Sequence, residues 1–135
     1  MTDRELILAA IEARKNAYTP YSHFQVGAAL LAENGRVYTG CNVENAGYTP
    51  TNCAERTAFF KAVSEGARRF TAIAIVAAPE GEPLRKTAPC GVCRQVMMEF
   101  CNPEIFRILM ASSPEDYTEY TLAQLMPEGF GPNNL

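Results

Sequence analysis

Two stretches, Thr51-Asn52-Cys53-Ala54-Glu55-Arg56 and Pro89-Cys90-Gly91-Val92-Cys93, hold three of the chain's five cysteines. The second has two thiols at i, i+3, a spacing that puts both on one face of a helix's first turn. The first has one thiol, with a carboxylate two positions on. Three thiolates are a soft donor set that suits zinc, and zinc takes four ligands. With three from the protein, one position is left for water, which distinguishes a catalytic zinc from a structural one. Glu55 is near enough in sequence to reach such a water and move its protons. The fold therefore has to bring two separate segments together with their sulfurs facing one point.

Each of these residues also has a plainer reading. Cys90 and Cys93 alone could be half of a structural site or a redox pair, but a closed zinc site needs a fourth ligand. Cys101 lies eight residues past Cys93, roughly 12 Å along a helix, too far to close the same site. Cys41 has side-chain parity opposite to Asn42 and is expected in the core as a small hydrophobe. His23, the single histidine, reads as a loop residue, although spacing alone leaves it open as a ligand. Glu55 could simply be a first-turn carboxylate favoured by the helix dipole. Two residues from a ligand, the catalytic reading is the stronger. Arg56 is either a solvated charge or, three residues after Cys53 and on its face, a contact to the ligand sulfurs. On spacing alone Asn42 and Glu44 are turn residues, and on composition Phe24 and Phe130 are core residues.

Length, charge and cysteine count narrow the class. The 135 residues, 47% of them apolar, suit one domain over 1–135 with a single core. The longest apolar run, Thr71 to Ala78, is strand-sized, so no membrane span is expected. The start, Met1-Thr2-Asp3-Arg4-Glu5, is too charged for a signal peptide. An odd number of cysteines, three of them in ligand spacing, argues against a disulfide framework. A cytosolic protein is the expectation. The net charge of −3 argues against a polynucleotide partner, which usually calls for a basic face.

Along the chain, Thr2 and Glu5 form a capping-box pattern. Leu6, Ile7, Ala10, Ile11, Ala13 and Ala17 recur at helical spacing. Val26 to Ala32 and Val37 to Cys41 read as strands joined by the Asn34-Gly35 hairpin signal. Asn42 and Glu44 then share one side of an extended, turn-rich segment. A second helix is expected from near Cys53 to about Glu65, with Ala58, Phe59, Ala62 and Val63 inward and Gly66 ending it. Phe70 to Ala78 reads as a strand covered on both faces. A third helix begins at Cys90 and stops before Pro103. Ile105 to Ala111 and Tyr117 to Thr121 read as strands, and Leu122 to Met126 as a helical turn. This order predicts an α/β layered sheet with helices on both faces. Both cysteine stretches then start helices at the sheet's C-terminal edge, where such sheets bind ligands.

The sequence strongly resembles the cytidine deaminase family in its short, three-cysteine form. The resemblance is carried by Tyr21-Ser22-x-Phe24-x-Val26-Gly27-Ala28-Ala29-Leu30, Asn42-Val43-Glu44-Asn45-Ala46 and Cys53-Ala54-Glu55-Arg56-Thr57-Ala58. Pro89-Cys90-Gly91-x-Cys93-Arg94-Gln95 and the tail Phe130-Gly131-Pro132 complete it. A ligand, any residue, a glutamate and then Pro-Cys-x-x-Cys is the pattern of zinc nucleobase deaminases. No functional position departs from the family pattern; Met126 stands where leucine is usual.

The resemblance implies a three-layer α/β/α sandwich with a five-stranded mixed sheet. It implies one zinc per chain on Cys53, Cys90 and Cys93, with Glu55 as the proton shuttle and Arg56 beside the sulfurs. Asn42 and Glu44 would hold ribose hydroxyls, Phe24 would pack on the pyrimidine, and the backbone at Cys53 and Ala54 would read the base edge. Tyr48 and Phe130 resemble residues lent to a neighbouring subunit's site, so a homotetramer is implied. The expected reaction is hydrolytic deamination of cytidine and 2′-deoxycytidine, a pyrimidine-salvage step. Two alternatives share parts of this pattern: a deaminase of another cytosine nucleoside, such as a nucleoside antibiotic, and a non-catalytic zinc-binding module with a fourth protein ligand. A polynucleotide-editing deaminase would need a basic track, and the composition offers none.

Overall fold

The computed structural model describes residues 1–135. The first helix, α1 (Asp3–Arg14), opens with the expected capping box: Thr2 Oγ1 accepts from the Glu5 amide and Glu5 accepts from the Thr2 amide. Leu6, Ile7 and Ala10 are buried on its inner face. The helix stops at Arg14 rather than running to Ala17. Tyr18 is drawn into a bridge with Val43, its amide on the Asn42 carbonyl and its own carbonyl accepting from Glu44.

Strand β1 (Phe24–Ala32) is joined to β2 (Val37–Cys41) by the Asn34-Gly35 turn, where Gly35 takes φ 90°. β1 begins two residues earlier than the apolar run implies, because Phe24 and Gln25 pair with Pro79 and Ala78. α2 (Ala54–Ser64) follows, then β3 (Phe70–Pro79), α3 (Gly91–Phe100), β4 (Arg107–Ala111), β5 (Tyr117–Thr121) and the short α4 (Leu122–Leu125). β4 starts two residues after Ile105. The chain turns there instead, with the Ile105 and Phe106 amides on the Asn102 carbonyl, and Ile105 stays exposed. A short 3₁₀ turn, Pro132–Asn134, closes the chain.

The strands form one mixed five-stranded sheet in the order β2-β1-β3-β4-β5, with β3 and β4 parallel and the other pairs antiparallel. Strand alternation divides the core in two. Ala29, Ala72, Ala74, Val76 and Leu109 face α1. Ala28, Leu30, Ile73, Ile75 and Ile108 face the other way, into a larger layer with Phe59 of α2 and Met97 of α3. The fold is therefore the expected helix–sheet–helix sandwich. No helix is long and apolar enough to cross a membrane. Cys101 is buried in the larger layer as an inert thiol, its pKa pushed up by burial. Cys41 departs from expectation: at the end of β2 it is half-buried and belongs to neither layer. Parity turns it away from Asn42, but β2 is the edge strand and the residue paired with Cys41 is Gly27, which has no side chain to cover it.

Candidate active site

β2 and β3 end at the edge of the sheet where β1 begins, and α2 and α3 start nearby. Cys53 is the N-cap of α2 and Cys90 the N-cap of α3, with Cys93 in the first turn of α3. Their sulfurs meet: Cys53 and Cys90 are 3.8 Å apart, Cys90 and Cys93 3.5 Å, and all three lie within 4.8 Å of one another. These separations are far too long for a disulfide. Thiolates about 2.3 Å from a tetrahedral zinc stand about 3.8 Å apart, so the cluster fits that ion in both donor type and spacing. No histidine or carboxylate completes a fourth ligand in the group. Its only members are the three cysteines of the two motifs.

The surroundings favour anionic sulfur. Both helix N-termini lie at the cluster, and the Cys93 amide points at Cys90 Sγ at 3.5 Å. Arg56 Nη2 donates to Cys53 Sγ at 3.2 Å, and its own pKa is pushed up chiefly by that bond. A bond from Cys93, opposed by burial and aided by Arg56, holds Cys53 down at about 5, and Cys93 is pushed up as its partner. A divalent cation would replace the proton shared between these two sulfurs. The Arg56 Nε is buried without a partner, and the contact to the cluster is made by Nη2.

A cleft of about 320 Å³ opens beside the sulfurs. Phe24, Val26, Asn42, Glu44, Cys53, Glu55 and Cys90 all line it. Glu55 is 4% exposed, and burial raises its carboxyl to about 7, with the neighbouring Cys53 charge adding to the rise. A carboxyl with that value in a water-accessible cleft can take and return a proton near neutral pH. Asn42 is almost buried: its Oδ1 accepts from the Val26 amide at 2.9 Å and its Nδ2 donates to the Phe24 carbonyl at 2.8 Å. One hydrogen of that amide and one lone pair remain for a ligand. Glu44 Oε1 accepts from the Tyr21 and Ser22 amides at 3.0 and 3.1 Å, and Oε2 accepts from the Ser22 hydroxyl. The Ser22 bond is the main reason its carboxyl is held below the ordinary value.

The Ala54 side chain is fully buried away from the cleft, while its amide and that of Cys53 find no acceptor in the chain. Tyr48 and Phe130 stand outside the cleft, 77% and 56% exposed. Tyr48 borders an adjoining hollow with Tyr21 and Glu44. The Phe130 carbonyl accepts from Gln95 Nε2 at 2.8 Å, which ties the tail to α3. His23 is exposed and near Glu80, away from the cluster. Thr87, Ala88, Asn52 and Ile75 also line the cleft and were not singled out from the sequence. For Thr87 and Ala88 a signal existed, since they directly precede Pro89 and the ligand pair.

Fold and site together define a thiolate-zinc α/β protein with a buried carboxyl in a small, mostly apolar cleft that carries a few polar side chains. Residues 1–109 match the family model described as the cytidine and deoxycytidylate deaminase zinc-binding region. The chain is similar to a cytidine deaminase of Sporosarcina psychrophila, 51% identical over all of this chain and 96% of that one. It is 50% identical to a cytidine deaminase of Halalkalibacterium halodurans, over 95% of this chain and 94% of that one. The crystal structure of cytidine deaminase from Burkholderia pseudomallei superposes with TM-score 0.87 at 46% identity, covering 96% of this chain and all of that one. That of the Mycobacterium tuberculosis enzyme gives 0.79 at 40%, covering 97% and 98%. The chain belongs to the cytidine deaminase family, a family of zinc-binding hydrolases.

Proposed function

We propose that this chain, acting as a single domain over 1–135, hydrolyses cytidine and 2′-deoxycytidine to the uridines with release of ammonia. The observation that carries the reading is the buried Glu55 carboxyl lining the same cleft as Cys53 and Cys90, beside the three converging sulfurs. Cys53, Cys90 and Cys93 hold one zinc per chain. When bound, zinc supplies a Lewis acid that eases the loss of a proton from water. Glu55 accepts that proton on its carboxylate and delivers it to ring nitrogen 3 of the base as carbon 4 is attacked. It then takes the proton of the new hydroxyl on carbon 4 and passes it to the amine, so that the C–N bond breaks, ammonia leaves and the carbonyl of the uridine forms. Burial favours the protonated carboxyl, which suits a group that has to carry a proton between two sites. Arg56 withdraws charge from the sulfurs through its bond to Cys53.

In this reading Phe24 packs on the pyrimidine, and the free amides of Cys53 and Ala54 read its edge. Glu44, already held by Tyr21 and Ser22, accepts from a ribose hydroxyl, and the unused donor of Asn42 gives to another. Tyr48 and Phe130 complete the cleft of a neighbouring copy in a homotetramer. Support comes from their exposure and from Tyr48 sitting at φ 61°, an uncommon conformation for a bulky side chain. The free thiol set favours a reducing compartment, so we place the protein in the cytosol, in pyrimidine salvage.

The test is direct. Purified zinc-loaded protein should consume cytidine and deoxycytidine, read by the ultraviolet change and by ammonia. Zinc binding without turnover of any cytosine nucleoside would leave only a binding module. Light scattering should give four chains, and a fully active monomer would reject the shared site.

A further inference from the structure

We propose that Gly40 and Thr57 are positioning residues for this reaction: together they fix the first turn of α2 over β2, and with it the place of Glu55 in the cleft. The inference rests on the deaminase reading and adds two residues that touch neither base nor metal.

Gly40 lies on β2 opposite Ala28 of β1, on the face that carries α2. A Cβ at Gly40 would stand 2.3 Å from the Ala54 carbonyl oxygen, 2.6 Å from the Ala58 amide nitrogen and 3.1 Å from Thr57 Cβ. The two closest atoms are backbone, so no rotamer change relieves the clash. The shortfall from ordinary contact is roughly 1 Å, and the helix itself has to rise. Ala54 is the first residue of α2, between the ligand Cys53 and Glu55. Any lift therefore lands on the turn that carries the chemistry. Glu55 is buried and cannot follow its old position by swinging through solvent.

Thr57 sets the same turn sideways. Its hydroxyl donates to the Cys53 carbonyl at 3.1 Å and accepts from Asn52 Nδ2 at 3.2 Å. Asn52 exchanges backbone bonds of 3.0 and 2.9 Å with Val43, which lies between Asn42 and Glu44. One run of hydrogen bonds thus joins the Asn42–Glu44 segment to the start of α2. Gly40 governs how far α2 stands from the sheet, and Thr57 governs how its first turn is registered against the opposite wall of the cleft.

The experiment compares zinc-loaded wild type with Gly40→Ala, Thr57→Val, Thr57→Ser and Leu6→Ala, the last a core truncation under α1. Metal content, melting temperature, kcat and KM are measured for each. Gly40→Ala should keep zinc and lose about 10²-fold in kcat, the scale of a 1 Å misplacement, with a smaller rise in KM because the Ala54 amide sits on the same turn. Thr57→Val keeps the shape, removes the hydrogen-bond bridge and should lose about tenfold in kcat, the weight of a lost hydrogen bond or two. Thr57→Ser should restore most of it. Leu6→Ala should melt earlier with unchanged kcat. Undiminished kcat in zinc-loaded Gly40→Ala, or a fall no larger than that of Leu6→Ala, overturns the proposal. If Gly40→Ala does not fold, Thr57→Val decides: wild-type kcat overturns the proposal, and a fall in kcat rescued by serine sustains it. A wild-type protein without turnover would reject the reaction itself and this inference with it; active wild type with unaffected variants rejects the inference alone.

Discussion

Against one face of the sheet, α1 buries Leu6, Ile7 and Ala10 among Ala29, Ala72, Ala74, Val76 and Leu109, a layer whose fully buried members include no ionisable side chain. Under α2 and α3 the other face begins in the same way, with Phe59, Ile73, Met97 and Phe106. Towards the ends of β2 and β3, however, it gives way to Glu55, Asn42 and Cys93, all buried or nearly so. Both helices rest on a glycine: Gly27 under α1, where a Cβ would come within 2.1 Å of the Ala10 carbonyl oxygen, and Gly40 under α2. The same packing device serves opposite ends. On the α1 face close approach increases apolar burial. On the α2 face it holds a carboxyl and a set of sulfurs where burying them is unfavourable. Stability and activity should therefore separate by face.

Removing a sulfur is the largest test of that separation. Cys90→Ala should leave the protein without zinc after dialysis, by metal analysis, and reduce turnover to background, because two thiolates no longer define the site. The fold should persist, since Cys90 is exposed and lies outside both core layers. Full zinc in this variant would reject the ligand assignment.

Next in size, Glu55→Gln should keep zinc and lose about 10²–10⁴-fold in kcat, the weight of a general acid–base group. Its melting temperature should hold or rise, since a neutral amide removes the burden of burying a carboxylate. Near-normal turnover with zinc bound would return Glu55 to the role of a helix-start carboxylate.

The α1 face supplies the converse. Gly27→Ala crowds the Ala10 carbonyl and Arg14 and should cost about 1–3 kcal/mol of stability in denaturant titration, as overpacking does. Its kcat at low temperature should match wild type. A large fall in kcat would mean that the two faces are coupled through the sheet.

How far these features were legible from the sequence depends on the range of the interaction behind them. The Thr2 cap, the Asn34-Gly35 hairpin and the apolar β3 are local and were readable. So was the convergence of Cys53, Cys90 and Cys93, because coordination chemistry demands it. Phe24 and Gln25 become strand only because Pro79 and Ala78 are there to pair with. Ile105 is apolar but exposed, since the turn at Asn102 takes its amide. The parity of Asn42 and Glu44 was visible, but their work in the free protein was not. Asn42 pins the start of β1 and Glu44 caps the Tyr21–Ser22 turn, and both depend on segments distant in sequence. Spacing alone could assign them no ligand; that reading came from the family resemblance. The demand on Gly40 likewise exists only once α2 lies on β2.

The smallest effect concerns the charged rim of the α1 face. Arg107 donates to Asp3 Oδ2 at 2.6 Å and to both oxygens of Glu119 at 2.9 and 2.8 Å, while the Tyr117 hydroxyl donates to Asp3 at 2.8 Å. The cluster ties the start of α1 to β4 and β5. The Arg107 bonds hold the Asp3 and Glu119 carboxyls below their ordinary values of 3.8 and 4.5. A carboxyl lowered in the fold binds its proton more weakly there than in the unfolded chain. Its stabilisation is complete above the ordinary value and is lost as pH falls through the lowered one. These side chains are about a third exposed, so solvent screens the interaction and the whole cluster is worth on the order of 1 kcal/mol. Arg107→Met should therefore unfold slightly more easily than wild type in urea at pH 7, and less so in high salt. The gap between the two proteins should close as pH drops below about 4, once both carboxyls begin to take up protons. The kcat of Arg107→Met should stay at the wild-type value throughout. A gap that persists at acid pH would assign the loss to packing of the arginine stem rather than to its charge. A change in kcat would show that the scaffold face and the site face are not independent.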